Sequence, residues 1–416
     1  MKATILNIGD ELLIGQTLNT NAQWMSQKLN EVGVDVLHHI SLSDDKEDII
    51  SCLKNALQSS HLIFITGGLG PTSDDITKHV LYSFFGGSLI FNEAVYKNIE
   101  SIYKLRQREV SEDVKSMCYV PDNCLVIENT LGTAPGMLFK QDNKMVVSMP
   151  GVPYEMKGMM ENYVIPYLKK SCALPVIIHS NILTAGVGET VLSERLKEFE
   201  QHKDPRIKLA YLPNVGKVRL RLTIKGENQK ELEDVIASAK LEVIHAVGEF
   251  IYGYDDDILE RQIGQLLLEK NLQLGLAESC TGGYLSHLMT SIPGSSAYFK
   301  GSIISYANEV KEAILGVKED TLKHYGAVSE ETVSQMIKGA IDKLGVDVAV
   351  AISGVAGPSG GTSEKPVGTV IIGVGDRNHI IVKRMTFTNN RERNIQLSGV
   401  LGMVILRKFL LGQVIE

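Results

Sequence analysis

The last third of the chain carries the residue types of a hydrolytic centre. Ser279 stands in the run AESCTGG, directly after the apolar strand pattern LQLGLA and just before a helix expected to begin near Thr281. A hydroxyl placed there is presented beyond the end of a strand, and the N–H groups of Thr281, Gly282 and Gly283 are donors suited to an oxyanion. Serine needs a base. The next strand and turn carry Tyr306, Asn308 and Lys311 in YANEVK. A desolvated lysine can take the proton of a serine, with a tyrosine relaying or orienting it, and Asn308 is counted with the substrate contacts. Other readings exist for the same residues. Ser279 and Thr281 would also cap a helix, His287 is a competing base on a helix, and Cys280 is a competing nucleophile expected to pack as a small apolar residue.

The segment SGVAGPSGGTSEKPVGT, residues 353–369, follows the buried strand VAVAI and is too rich in glycine and small hydroxyls for a core. It reads as a phosphate or ribose loop, with Ser353, Gly354 and Gly357 against the ligand and Arg391 or Arg393 supplying a charged contact. It matches neither a Walker A sequence nor a GxGxxG fingerprint, so ATP and NAD sites of those kinds gain no support.

A second constellation lies near the N-terminus. LIFITGGLGPTSDDITK places a buried strand, a turn with Gly67, Gly68 and Gly70, and then a helix whose first turn is expected to carry Thr72, Ser73, Asp74 and Asp75. Backbone N–H groups in such a turn hold phosphate, but two carboxylates repel it unless a hard divalent cation lies between them. Helix capping accounts for the same residues without a ligand. Two more acidic turns follow strands, at Gly9-Asp10-Glu11 and at Pro150 to Glu155, and with Asn129 and GTAPG they could line one cleft.

The elements that must position these groups follow from patterning. Over the first 170 or so residues, short β-branched runs such as TILNIG, LIFITGG and MVVSMPG alternate with amphipathic helices closing on Gly33 and Gly86, the mark of a parallel α/β sheet covered on both faces. Such folds bind ligands at the strand C-terminal ends. A joint at residues 171–175 leads to a smaller unit reading strand, helix, strand, strand, helix, of KH-like α+β topology but without a GxxG loop. In its run VGKVRLRLTIKG, Val218, Leu220, Leu222 and Ile224 face one way and Lys217, Arg219, Arg221 and Lys225 the other, as on a solvated antiparallel strand. After Asp255, Asp256 and Asp257 a second α/β unit runs to a closing helix. The expected domains are therefore 1–172, 173–252 and 255–416.

Composition narrows the function classes. The 416 residues carry 42 Lys plus Arg against 49 Asp plus Glu, a net charge of -7, which gives no footprint for wrapping nucleic acid. Five cysteines without framework spacing read as reduced thiols. Asp10 and Glu11 interrupt any signal-peptide apolar region, and no uncharged apolar stretch approaches a membrane span. A cytoplasmic protein without a membrane partner is expected.

Taken residue by residue, GDELLIGQTLNTNA, TGGLGPTSDDIT, GTAPG and PGVPYEM resemble the molybdopterin-binding, MoaB/MogA-like domain of the CinA family, and AESCTGG, PGSSAYFKGSIISYANEVK, HYGAVSEE and SGVAGPSGGTSEKPVGTV resemble its C-terminal domain. The resemblance implies a MoaB/MogA-like α/β/α domain, a KH-like connecting domain and an α/β deamidase domain. It further implies two substrates. Nicotinamide mononucleotide would be deamidated by Ser279, Lys311 and Tyr306 without a cofactor. ADP-ribose would be cleaved at its pyrophosphate by the first domain with magnesium, manganese or cobalt. In that first domain Gly67, Gly68, Gly70, Thr72, Asp10 and Asn129 would meet the nucleotide, Asp74 and Asp75 would hold the metal, and Glu155 would position water. A homodimer is the expected assembly. The alternatives are a non-enzymatic competence or recombination binding protein and a molybdopterin-binding protein.

Overall fold

The computed structural model describes residues 1–415 other than Ser73, Asp74, Arg106 and Arg108. The chain divides into two units, Met1–Ile178 with Lys225–Leu232, and His179–Ile224 with Glu233–Glu416.

In the first unit, strands β1 (Lys2–Ile8), β2 (Asp35–Leu42) and β3 (Leu62–Thr66) are followed by a two-stranded ribbon of β4 (Leu89–Phe91) with β5 (Tyr119–Pro121), and then by β6 (Cys124–Ile127), β7 (Gly136–Gln141) and β8 (Lys144–Met149). The main sheet has the order β2-β1-β3-β8-β7-β6. Its first four strands are parallel, as expected, but β7 runs antiparallel to both β8 and β6, because β7 returns to β8 through a tight turn with Asp142 at φ 51. The period of two divides side chains between two cores: Leu6, Ile63 and Ile65 pack on one face, Ile5, Leu62 and Phe64 on the other. Helix Lys46–Ser59, capped by Asp45, covers the first with Ile49 and Leu53, and helix Thr20–Glu31, capped by Asn19, covers the second with Met25 and Leu29. The pairing Asn7↔Thr66↔Met149 brings the ends of β1, β3 and β8 level, so the turns after them open on one edge.

The helix after the Gly-rich turn starts at Thr77, later than the sequence suggests, and residues 72 and 75 belong to the loop before it. After β8 the chain is continuously helical, as Pro153–Met159, a π-turn Met160–Val164 and Ile165–Ser171. The π-turn precedes Pro166, which has no N–H to give.

In the second unit, β9 (Val176–Ala185), β10 (Lys208–Asn214), β11 (Lys217–Gly226) and β12 (Ile251–Tyr254) form a sheet of order β10-β11-β9-β12. The expected first helix is two short ones, Glu189–Arg195 and Lys197–His202, and β12 is a strand the sequence reading lacked. Along β11, Val218, Leu220, Leu222 and Ile224 are buried while Arg219 and Arg221 are exposed. Lys217 leaves the basic stripe to pair with Glu260 at 3.1 Å.

The last sheet has the order β14-β13-β15-β16-β17, from β13 (Leu274–Glu278), β14 (Phe299–Ile304), β15 (Val348–Gly354), β16 (Thr369–Gly375) and β17 (Ile380–Thr386). β14, β13 and β15 are parallel, and β16 runs antiparallel to both β15 and β17. β17 escaped the sequence reading because its residues are half-exposed and mixed in character. Helix Arg391–Leu411 has the length and apolar content of a membrane span, and half of it is buried in the core of this unit through residues such as Val400, Met403 and Leu406. Core packing accounts for its composition.

Candidate active sites

β13 ends at Glu278, and Ser279 continues the strand with its N–H on Ile352 O at 2.9 Å before the chain turns. The helix expected at Thr281 begins only at Tyr284, so residues 280–283 are free to form a tight turn, with Gly282 at φ 58 and Gly283 at φ 102. Lys311, in the short helix Asn308–Ala313, reaches under this turn. It is 1% exposed, and its Nζ lies 3.1 Å from Ser279 Oγ, with the carbonyls of Ser305 (2.7 Å) and Tyr306 (3.2 Å) completing its surroundings. Burial holds its ammonium below the ordinary 10.5, with Cys280 and Glu309 opposing that shift. A strand-end hydroxyl and a buried amine thus share one hydrogen bond, an arrangement that suits a nucleophile and its base.

Tyr306 stands elsewhere than expected for a proton relay. Its ring is exposed and its hydroxyl accepts from Arg391 at 3.2 Å, so it holds Lys311 through its carbonyl rather than its phenol. Arg391, first residue of the closing helix, also donates to Gly357 O at 2.8 Å and so ties the glycine-rich loop to Tyr306. Arg393 gives its N–H to the capping Asn390. Asn308 is exposed at the start of its helix. Ser353 and Gly354 still belong to β15, and the Ser353 hydroxyl is spent on Ala327 O at 2.7 Å, which fixes that loop instead of waiting for a ligand.

The oxyanion donors also need correction. Gly283 N–H donates to Glu278 Oε2 at 3.1 Å and Gly282 N–H to Ser279 O at 3.1 Å, so both are taken. Among the described residues, the N–H of Thr281 meets no backbone or side-chain acceptor, and that of Cys280 meets only its own thiol. Glu278 is the residue the sequence reading missed. Fully buried, it accepts from the N–H groups of Gly283, Leu285 (3.0 Å) and Ser286 (2.9 Å) and from the Ser286 hydroxyl (2.5 Å). A carboxylate is stable there because it satisfies the orphan donors of the helix that follows. The signal was a lone acid closing an otherwise apolar strand. Cys280 packs into the core, and burial pushes its thiol up to about 12, which disfavours a thiolate there. His287 is exposed on its helix.

In the first unit, the turns after β1, β3 and β8 line a cleft of about 410 Å³ with Gly67, Gly68, Gly70, Thr133, Gly151 and Glu155 on its walls. Nothing larger fits at two of the glycines around it: a Cβ on Gly67 would sit 2.1 Å from Ile8 O, and one on Gly132 would sit 2.2 Å from the Glu155 carboxylate. Asn129, buried, donates to Glu155 Oε2 at 2.7 Å and to Ala134 O at 2.9 Å, fixing that acid. Asp75 faces the cleft and accepts from the N–H of Thr72 at 3.0 Å and from its hydroxyl, so Thr72 braces Asp75. Asp74 lies outside the described residues. Asp10 does not line the cleft. It opens a short exposed helix with its N–H on Asp44 Oδ2 at 3.3 Å, and the acids at that wall are Glu11 and Asp44.

Glu11, Asp44, Asp75 and Glu155 give the cleft hard oxygen donors. Among the described residues no three metal-ligating side chains come together, so the protein alone makes no cage. An ion shared with phosphates and water needs only one or two carboxylates, and Asp75 on the cleft wall fits that requirement.

Three family models match the chain: the probable molybdopterin binding domain over residues 4–170, the damage-inducible protein CinA KH domain over 179–253 and the CinA C-terminal domain over 256–410. A CinA-like protein from Cytophaga hutchinsonii is 42% identical, covering 98% of this chain and 97% of its own. One from Flavobacterium psychrophilum is 40% identical over 95% of each. Among solved structures, a competence/damage inducible protein from Agrobacterium tumefaciens is 36% identical over 36% of this chain and 92% of its own, with a TM-score of 0.35.

Proposed function

Since the chain belongs to the CinA family of competence/damage-inducible proteins, with a molybdopterin-binding-like domain, a KH domain and a CinA C-terminal domain, we propose that it is a hydrolase with two centres acting on nucleotides of pyridine-nucleotide salvage. The C-terminal centre converts nicotinamide mononucleotide and water to nicotinate mononucleotide and ammonia. The observation that carries this reading is the 3.1 Å contact between a 1% exposed lysine amine and Ser279 Oγ. Neutral Lys311 takes the Ser279 proton as Oγ attacks the carboxamide carbon. The N–H groups of Cys280 and Thr281 receive the oxyanion. Lys311 then returns the proton to the departing nitrogen, which leaves as ammonia, and the acyl-serine ester remains. Water, deprotonated by the same amine, cleaves that ester and Ser279 recovers its proton. Arg391, braced on Gly357 and Tyr306, holds the substrate phosphate.

The N-terminal centre hydrolyses ADP-ribose at its pyrophosphate. The turn from Gly67 to Gly70 lets backbone approach the phosphates, Asp75 holds a divalent cation, and Glu155, fixed by Asn129, orients water. When bound, the cation would neutralise phosphate charge. A cytoplasmic address belongs to the same reading, since all five cysteines are free thiols. The test is mass-resolved product analysis of the purified chain with each substrate, with and without chelator. Ammonia from the mononucleotide regardless of chelator, and cleavage of ADP-ribose only without it, is the expected pattern. No product from either substrate would overturn the proposal.

A further inference from the structure

The register of the last sheet sets three serines level. Glu278 pairs with Ile304 on one side and Ile352 on the other, and the ladder continues one step further, with Ser305 N–H on Glu278 O at 2.8 Å and Ser279 N–H on Ile352 O at 2.9 Å. Ser305, Ser279 and Ser353 therefore lie abreast at the ends of β14, β13 and β15, with neighbouring strands about 4.8 Å apart. Alternation sends their side chains to the face of Ile303, Ala277 and Ala351, the face on which Lys311 meets Ser279. Two of the hydroxyls are engaged, Ser279 with Lys311 Nζ at 3.1 Å and Ser353 with Ala327 O at 2.7 Å. The third is not. Ser305 is 0% exposed and its Oγ has no hydrogen-bond partner among the described residues, although its own carbonyl lies 2.7 Å from Lys311 Nζ. A dry, unpaired hydroxyl is unfavourable, so a partner met at another stage of a reaction cycle accounts for its presence.

A neutral amine has two N–H groups and one lone pair, which match the carbonyls of Ser305 and Tyr306 and the hydroxyl of Ser279 and leave Ser305 Oγ without a place. Once protonated, the amine has three N–H groups, while Ser279 Oγ has become the oxygen bonded to the acyl carbon. We propose that Ser305 is a positioning residue of the C-terminal centre, whose hydroxyl turns about χ1 to accept the third N–H of the Lys311 ammonium in the interval between its taking the proton from Ser279 and giving it to the departing nitrogen. Ser305 loses no proton of its own. Fully buried, it acts through Lys311 and not on the substrate. The inference rests on the reading of Ser279 and Lys311 as nucleophile and base.

Ammonia release from saturating nicotinamide mononucleotide, followed across pH for the full chain and its Ser305→Ala, Ser305→Thr and Ser305→Val variants, tests the role. Threonine and valine share a shape and differ by the hydroxyl. Ser305→Thr should stay within about threefold of normal turnover, while Ser305→Ala and Ser305→Val should lose about tenfold or more, the scale of one hydrogen bond to a charged group. Without its acceptor the ammonium is less stable, so in those two variants the rate should rise through an apparent pKa about one unit lower, towards a lower plateau. The titratable groups facing the amine are Cys280 from the turn and Glu309 from its own helix, with Glu278 and Arg391 acting at Cys280, and all are the same in every variant. Ser305→Ala decides alone where the bulkier pair does not fold. Unchanged turnover and pH profile in Ser305→Ala, or equal loss in folded Ser305→Thr and Ser305→Val, would overturn the role and leave Ser279 and Lys311 standing. A fall in turnover with an unmoved pH profile would assign Ser305 to packing and overturn it as well. No ammonia from the unmodified chain would remove the centre and this inference together.

Discussion

Replacing Lys311 with methionine isolates the role of its amine, because the two side chains are close in length and both suit a buried site. The variant loses the 3.1 Å contact to Ser279 Oγ and two bonds to the carbonyls of Ser305 and Tyr306. Loss of a general base lowers turnover by about 10²–10⁴-fold, equivalent to about 3 to 5 kcal/mol of barrier. Each carbonyl left dry costs about 1–3 kcal/mol, partly offset because no amine has to be stripped of water in the folded state. The variant should therefore fold and be nearly inactive. The pH dependence supplies an independent check. Burial lowers the Lys311 value below 10.5 in the folded chain, so the unfolded chain binds that proton more tightly. Folding stability from this group then rises with pH between the lowered value and 10.5, and is fully penalised below the lowered value. Over the same lower limit the rate should rise as the amine becomes neutral. Ammonia release at saturating nicotinamide mononucleotide and denaturant unfolding, both followed from neutral to alkaline pH, measure the two effects. A Lys311→Met variant within about tenfold of normal turnover, or a wild-type rate that falls as pH rises into the alkaline range, would refute lysine as the base.

Cys280→Ala should keep turnover within about threefold, because its thiol is held near 12 and sits in the core. A loss comparable with that of the serine variant would make the centre a thiol enzyme. Glu278→Gln offers an amide nitrogen where N–H groups now donate, so stability in denaturant should fall by about 1–3 kcal/mol or more. Turnover should fall more than KM rises, since the turn carrying Ser279 loses its anchor; unchanged stability and turnover would show that the anchor is not needed. Gly132→Ala, whose added carbon would meet the Glu155 carboxylate at 2.2 Å, should reduce ADP-ribose cleavage and leave ammonia release untouched. Equal loss of both activities would mean that the two centres are not independent.

The sequence singled out Ser279 and Lys311 because strand-end position and residue type restrict what they can do. Their contact across 32 residues could not be read from spacing, since it depends on Lys311 reaching back beneath the turn. The donor assignment went astray for a related reason. Glu278 takes the Gly283 N–H and the Ser279 carbonyl that of Gly282, and a buried acid is visible in sequence only as a polar interruption of an apolar run. Tyr306 misled by type: a phenol suggested proton relay, whereas its exposed ring pairs with Arg391 and its carbonyl does the holding. In the first unit the convergence of three turns followed from parallel β1, β3 and β8 ending level. Whether Asp10 or Glu11 faces the cleft depends on one residue of rotation in a short helix, which periodicity does not fix. The antiparallel edge and β17 were missed because short, half-exposed strands carry weak alternation.

The central claim is that Ser279 attacks the carboxamide of nicotinamide mononucleotide. Its most direct test is the rate of ammonia and nicotinate mononucleotide formation by the purified full-length chain, set against a correctly folded Ser279→Ala variant at the same concentration. The unmodified chain should release both products stoichiometrically, and the variant should lose about 10³-fold or more. Retention of most of the activity by Ser279→Ala, or no ammonia from the unmodified chain, would contradict it.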